Sequence, residues 1–175
     1  MPTPLIHSFA PLAPADARVL ILGSMPGKRS LAEQRYYAHP QNSFWRILGA
    51  VLGFDAALPY AARCEALVAG GIAVWDVLAA CRRASSLDTD IENASIRPND
   101  LAGFLEAHPS IIAIRFNGAM AEQAFNRHIL PALPPSQRAI DRLRLPSTSP
   151  AHAGLRFEAK LAAWRSALAE PARQG

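Results

Sequence analysis

The segment Arg18-Val-Leu-Ile-Leu-Gly23 is apolar at four successive positions and stops at a glycine. It lacks the alternation of a half-exposed strand, so it reads as a strand buried on both faces, as in a parallel sheet. Outward from it, three further runs read as strands: Ile72 to Val77, Ile111 to Phe116 and Arg142 to Leu145. The stretches between them read as helices. Asn42 is a candidate N-cap for a helix through Leu52, with Phe44, Trp45, Leu48 and Leu52 facing the core. Pro59 to Ala69 forms another, stopped by Gly70-Gly71. Pro98, preceded by Ser95, opens a helix ending near His108-Pro109. Asn117-Gly118 feeds one through Ile129, and Leu155 to Ala169 is the last. Strands alternating with helices predict an α/β fold: a three-layer α/β/α sandwich with a central, mostly parallel four-stranded sheet.

One domain over residues 1–175 is expected from this length. The first seventeen residues carry four prolines and read as an extended lead-in, and residues 171–175 as a frayed tail. Cys81 to Ser95 reads as polar and irregular. No apolar run approaches the roughly 20 residues needed to cross a bilayer. No basic segment followed by an apolar one marks a signal peptide at the start. Cys64 and Cys81 make neither a disulfide framework nor a zinc motif, which fits a reducing cytoplasm. No metal or organic cofactor is implied.

In parallel sheets ligands sit beyond the carboxyl ends of the strands. That rule selects four loops: Ser24 to Gln41, Asp76 to Ser95, Asn117-Gly118 and Pro146 to Gly154. Gly23-Ser-Met-Pro-Gly27 could cradle a phosphate or a base oxygen with its backbone N–H groups, or could simply turn the chain. Tyr36-Tyr-Ala-His-Pro-Gln-Asn-Ser-Phe-Trp45 packs four aromatic rings, a His and an Asn into one loop–helix junction. Leu145-Pro-Ser-Thr-Ser-Pro-Ala-His-Ala153 offers three hydroxyls on a proline-stiffened backbone, suited to a phosphate diester. A Ser149, His152, Asp76 hydrolase triad is a second reading, without the GxSxG elbow such enzymes use.

The ordered set Ile21-Leu-Gly-Ser-Met-Pro-Gly27, His39-Pro-Gln-Asn-Ser-Phe-Trp45 and Leu145-Pro-Ser-Thr-Ser-Pro150 resembles the uracil-DNA glycosylase superfamily, most of all its deoxyinosine (hypoxanthine) DNA glycosylase branch. The resemblance runs from Val19 to Trp164. It implies a monofunctional glycosylase of base-excision repair, acting as a monomer on single- or double-stranded DNA that holds a deaminated base. In the mismatch-specific branch the first motif reads Gly-Ile-Asn-Pro-Gly and its Asn positions water. Here that slot is Met25, which cannot polarise water. The resemblance therefore puts catalysis on Asn42, whose side-chain carbonyl would hold the attacking water. It assigns Gly23, Ser24 and Met25 to the base pocket, with Tyr37 or Phe44 stacking on the base. Asp76 or Asn117 would read it; locally, Asp76 also reads as a helix N-cap and Asn117 as a turn residue. The uracil-specific branch opens its second motif with a His that stabilises the departing base, and Leu145 stands there instead. Lys28, Arg29, Ser147, Thr148, Ser149, Pro150 and His152 are the implied DNA contacts, with Pro150 to His152 as the duplex wedge. No suitably placed Lys for a Schiff base is expected.

A uracil-specific enzyme, a catalytically silent nucleic-acid-binding module and a small-substrate hydrolase are the competing readings. The charge fits a polyanionic partner without demanding one. The net charge is +4, and sixteen of the eighteen cations are Arg. Arg29, Arg35, Arg82, Arg83 and Arg156 are expected to ring the mouth of the site, and Arg18 and Arg173 to lie on the far side.

Overall fold

A computed structural model describes residues 2–173, with side chains through residue 169 at the C-terminal end. The elements run β1 (Leu5–His7), β2 (Val19–Gly23), α1 (Lys28–Glu33), α2 (Phe44–Leu52), α3 (Tyr60–Ala69), β3 (Ile72–Asp76), β4 (Leu78–Arg82), β5 (Arg97–Pro98), α4 (Leu101–Ala107), β6 (Ala113–Asn117), α5 (Ala119–His128), α6 (Pro135–Arg138), β7 (Asp141–Leu145) and α7 (Phe157–Arg173), with short 3-10 turns between some of them.

The main sheet has the order β3-β2-β6-β7, all parallel. β2, the strand read from Arg18 to Gly23, lies inside it and is buried at every position. Its side chains alternate between two cores, as a strand's must. Leu20 and Leu22 pack with Ile114 and Phe116 of β6, Phe104 of α4 and Phe125 of α5. Val19 and Ile21 face the other way, toward Phe44, Ile47 and Leu48 of α2, Leu67 of α3 and Trp164 of α7. The three-layer expectation is met. On β6 the second face carries a cation: Arg115 is 1% exposed, donates to the Ala167 carbonyl (3.1 Å) and pairs with Asp141 (2.9 Å).

Several local expectations are corrected. The lead-in is not merely extended. β1 pairs antiparallel with β4, and Leu12 exchanges both backbone hydrogen bonds with Val74 at the outer side of β3 (2.9 and 2.8 Å). β4 includes Cys81 and Arg82, which had read as irregular, and joins β1 and β5 in a second, antiparallel sheet. Its alternation is masked because it follows β3 after a single residue, Val77. Pro98 belongs to β5; α4 is capped by Asp100, whose side chain accepts the Gly103 N–H (3.0 Å). The loop before Gln41 holds α1. α7 continues past Ala169 through Arg173, so Pro171 sits in the helix, while positions 174 and 175 of the expected tail lie outside the described residues. Among the described residues no helix is long and apolar enough to cross a membrane.

Candidate active site

Parallel register brings four strand ends together. Gly23 at the end of β2 lies beside Asp76 of β3, and Asn117 of β6 beside Leu145 of β7. The loops leaving these ends enclose a cleft of about 820 Å³, solvent mouth included. Its lining combines the three separated motifs: Gly23 to Lys28 from the first, Tyr37, His39 and Asn42 from the second, and Ser147, Thr148, Ser149 and Pro150 from the third. Asp76, Asn117, Arg29, Ser30, Tyr36, Ser86 and Asp88 complete it.

Gly23 has a steric reason to be glycine. A Cβ there would stand 2.6 Å from Asp76 Oδ1 and 3.1 Å from the Tyr37 hydroxyl. These two polar side chains close the cleft floor. Asp76 is 4% exposed, and its Oδ2 is buried without a hydrogen-bond partner. The Tyr37 hydroxyl is in the same condition. Burial, reinforced by the nearby Asp88 carboxylate and only partly offset by Arg83, pushes the Asp76 carboxyl up to about 7. Burial likewise raises the Tyr37 phenol, so it stays protonated.

Tyr37 takes a left-handed backbone conformation (φ 54°), uncommon for a residue with a side chain. Its ring stacks on Phe44 at 4.0 Å between centroids. Phe44 is fully buried and does not line the cleft; Tyr37 offers the exposed aromatic surface. Asn42 is partly exposed at the cleft, one residue before the cap position of α2. Its Oδ1 accepts the Phe44 N–H (2.9 Å), which fixes the amide and leaves a second lone pair on that oxygen.

Asn117 and Thr148 hold each other. The Asn117 amide donates to Thr148 Oγ1 and accepts the Thr148 N–H, both at 2.9 Å. The Thr148 carbonyl accepts the Ser43 N–H (3.0 Å). Thr148 is thus an inward anchor, 1% exposed, joining β6, α2 and the last loop. Ser147 and Ser149 each accept a backbone N–H two residues on, from Ser149 and Ala151. Each hydroxyl keeps its own hydrogen to donate. Ser24 is turned inward, donating to Asp88 (2.7 Å), and Met25 joins the core.

The structure does not bring every expected residue to the cleft. His152 lies in a neighbouring depression with Gln41, Arg46 and Lys160, and its carbonyl accepts from the buried Lys160 ammonium (2.8 Å). Arg83 is not at the mouth. It is 4% exposed and donates to the Pro26 and Ser85 carbonyls, clamping two loops. Arg82 donates to the Thr3 carbonyl, tying down the lead-in. Arg29 does reach the cleft, paired with Glu33, and Lys28 lies exposed at the rim. Sequence reasoning missed Asp88 and Lys160. Asp88 meets Ser24 across 64 residues and belongs to a segment with no periodic signal. Lys160 sits on a helix face where a lone Lys reads as solvated.

Comparison with known proteins identifies the family. The family model for the uracil DNA glycosylase superfamily matches residues 10–169. A hypoxanthine DNA glycosylase from Methanosarcina barkeri is 38% identical over 113 residues, covering 64% of this chain and 70% of that protein. A hypoxanthine DNA glycosylase from Methanosarcina acetivorans is 34% identical over 116 residues, covering 66% and 72%. The solution NMR structure of a candidate uracil DNA glycosylase from Methanosarcina acetivorans superposes with a TM-score of 0.79 at 27% identity, covering 96% of this chain and 99% of that one. With the model spanning nearly all of the chain, the protein belongs to the uracil DNA glycosylase superfamily.

Proposed function

We propose that this protein is a monofunctional DNA glycosylase that removes hypoxanthine from deoxyinosine in DNA, working as a single-domain monomer. The observation that carries the reading is the cleft itself, where three motifs far apart in sequence converge with Asn42 among them. Its likeness to two hypoxanthine DNA glycosylases supports the choice of base.

The cleft cannot reach a base inside a duplex, so the nucleotide is flipped out, at a few kcal/mol, less where it is mispaired. Ser147 and Ser149 donate to backbone phosphates, and Lys28 and Arg29 supply charge at the rim. The Tyr37 ring, held by Phe44, stacks on the base. Asn42 Oδ1 holds a water with its free lone pair. As the bond from C1′ to the base breaks, its electrons leave with the base and positive charge develops on the sugar. The water oxygen then bonds to C1′, and a proton ends on the base. Leu145, buried at the end of β7, offers no hydrogen bond to that base.

The test is a panel of duplexes carrying hypoxanthine, uracil or xanthine, treated with alkali to reveal abasic sites. Hypoxanthine should be released fastest. Asn42→Ala should lose at least about 100-fold in single-turnover cleavage, in line with removal of a group that positions the reacting water, and keep DNA binding. Wild-type cleavage by that variant would remove Asn42 from the mechanism. Uracil excision is the second reading, favoured by the likeness to the candidate uracil enzyme, and faster release of uracil would establish it.

A further inference from the structure

Beside the cleft lies a second depression of about 570 Å³, open solvent included, whose lining includes Gln41, Arg46, Ser149, His152, Phe157 and Lys160. Thr148, Ser149 and Pro150 border both hollows, so the last loop forms the ridge between them. Two cations from different helices meet in the depression. Lys160 of α7 is 6% exposed. Its ammonium has three hydrogens to donate, and among the described residues its one hydrogen bond goes to the His152 carbonyl (2.8 Å). Arg46 of α2 is exposed, and its guanidinium lies over the Phe157 ring, 4.6 Å from the centroid. Phe157 stands three residues before Lys160 on the same face of α7, so this stacking brings Arg46 to the side of the helix that carries Lys160.

No acidic side chain lines the depression, and among the described residues neither cation has a carboxylate partner. A buried charge is costly unless it is paired, and a single neutral carbonyl offsets little of that cost for an ammonium. Two like charges on one hollow also repel each other. Both costs fall when an anion sits between them.

We propose that this depression is a phosphate subsite outside the cleft, in which Lys160 and Arg46 hold the phosphodiester next along the substrate strand from those gripped in the cleft. The identity of the strand rests on the proposed glycosylase function. An ammonium supplies a point charge and a guanidinium a planar fork of donors, a combination suited to phosphate oxygens. Ser149 borders both hollows, so a strand whose phosphate meets its hydroxyl in the cleft carries the next phosphate over the ridge. Lys160 also holds the His152 carbonyl, so strand and loop are fixed at one point.

The test is equilibrium binding of duplexes that carry 2′-fluoro-2′-deoxyinosine, whose fluorine retards loss of the base. Single phosphates along both strands are replaced in turn by neutral methylphosphonates. For wild type, one replacement on the deoxyinosine strand should weaken binding about tenfold or more, the usual effect of losing a hydrogen-bonded contact to a charged group. That loss should shrink in Lys160→Met and in Arg46→Gln, and vanish when the two are combined. On a plain duplex the combined variant should lower the slope of log affinity against log salt by about 1, for one phosphate no longer neutralised. Arg46 is exposed, so Arg46→Gln leaves the core intact and decides the matter where Lys160→Met does not fold. A lysine that only clamps the loop gives another pattern: Lys160→Met weakens every duplex alike, the methylphosphonate profile is unchanged, and Arg46→Gln binds as wild type does. That pattern overturns the proposal, and so does a variant-dependent position found on the complementary strand alone. If wild type releases no base from a deoxyinosine duplex, the proposed function fails. The salt slope on plain duplex still decides the subsite, and equal slopes for wild type and the combined variant overturn it.

Discussion

Asp76 makes a stability prediction separate from catalysis. Its carboxyl is raised from 3.8 to about 7 in the folded protein, mainly by burial. Between those values the folded state binds a proton that the unfolded state has released. The sign follows: this group's stabilisation is complete below pH 3.8 and is lost as pH rises through about 7. Three units correspond to about 4 kcal/mol in all, at 1.4 per unit. The part lost between about pH 5 and about pH 8 is roughly 2–3 kcal/mol. Asp76→Asn keeps the shape and removes the titration. Urea denaturation of both proteins at the two pH values isolates the titration of Asp76 together with its coupling to Asp88, since His128, away from this site, titrates in both and cancels to first order. The variant should gain roughly 2–3 kcal/mol on wild type as pH rises, or about 5–10 °C in Tm at this chain length. A difference that stays within about 0.5 kcal/mol across the range, the usual scatter for substitutions without such a mechanism, would refute a buried, protonated Asp76.

Gly23→Ala places a methyl against Asp76 Oδ1 at 2.6 Å; it should destabilise by about 1–3 kcal/mol, the usual effect of overpacking, and abolish base release, as measured by denaturation and alkali cleavage. Asp141→Asn strips the charge from the partner of buried Arg115; because Asp141 itself is exposed, the loss should be about 1–2 kcal/mol rather than the larger cost of breaking a fully buried pair, read by urea titration. Lys28→Ala at the rim should weaken DNA binding similarly for every sequence and lower the slope of log affinity against log salt by about 1, measured by fluorescence anisotropy.

β2 and β3 were legible because they are buried on both faces and appear as apolar runs, whereas β7 at the edge showed only as the alternation of Arg142 and Arg144 with Leu143 and Leu145; the rule about carboxyl ends then located the site loops. The cleft lining includes Gly23, Asn42, Asp76, Asn117 and Ser147, all marked in advance by their place at strand ends or in motifs. What stayed hidden depends on contacts between distant segments. β1, β4 and β5 emerge only as partners of one another in the second sheet, since three residues such as Leu5–His7 carry no period. Arg83 reads as a cation at the mouth, and nothing beside Arg115 shows how a cation can sit in a buried strand, because the backbone carbonyl or the Asp far along the chain that holds each leaves no local sign. Phe44 and Tyr37 both read as stacking candidates; only the fold shows one sealed behind the other.

The way Leu12 lies along Val74 bears on how this protein behaves at high concentration. An open sheet exposes rows of unpaired N–H and C=O groups at its two outermost strands, which invite strands from other molecules. On one side Leu12 pairs with that row from within the chain at Val74, and the Trp75 indole, donating to the Phe9 carbonyl, holds the lead-in against it. On the other, β7 carries Asp141, Arg142 and Arg144, charges that a docking strand would have to bury. The proline-rich lead-in therefore serves as a built-in guard against edge-to-edge aggregation, which leaves the open end of the sheet as the face turned toward other molecules.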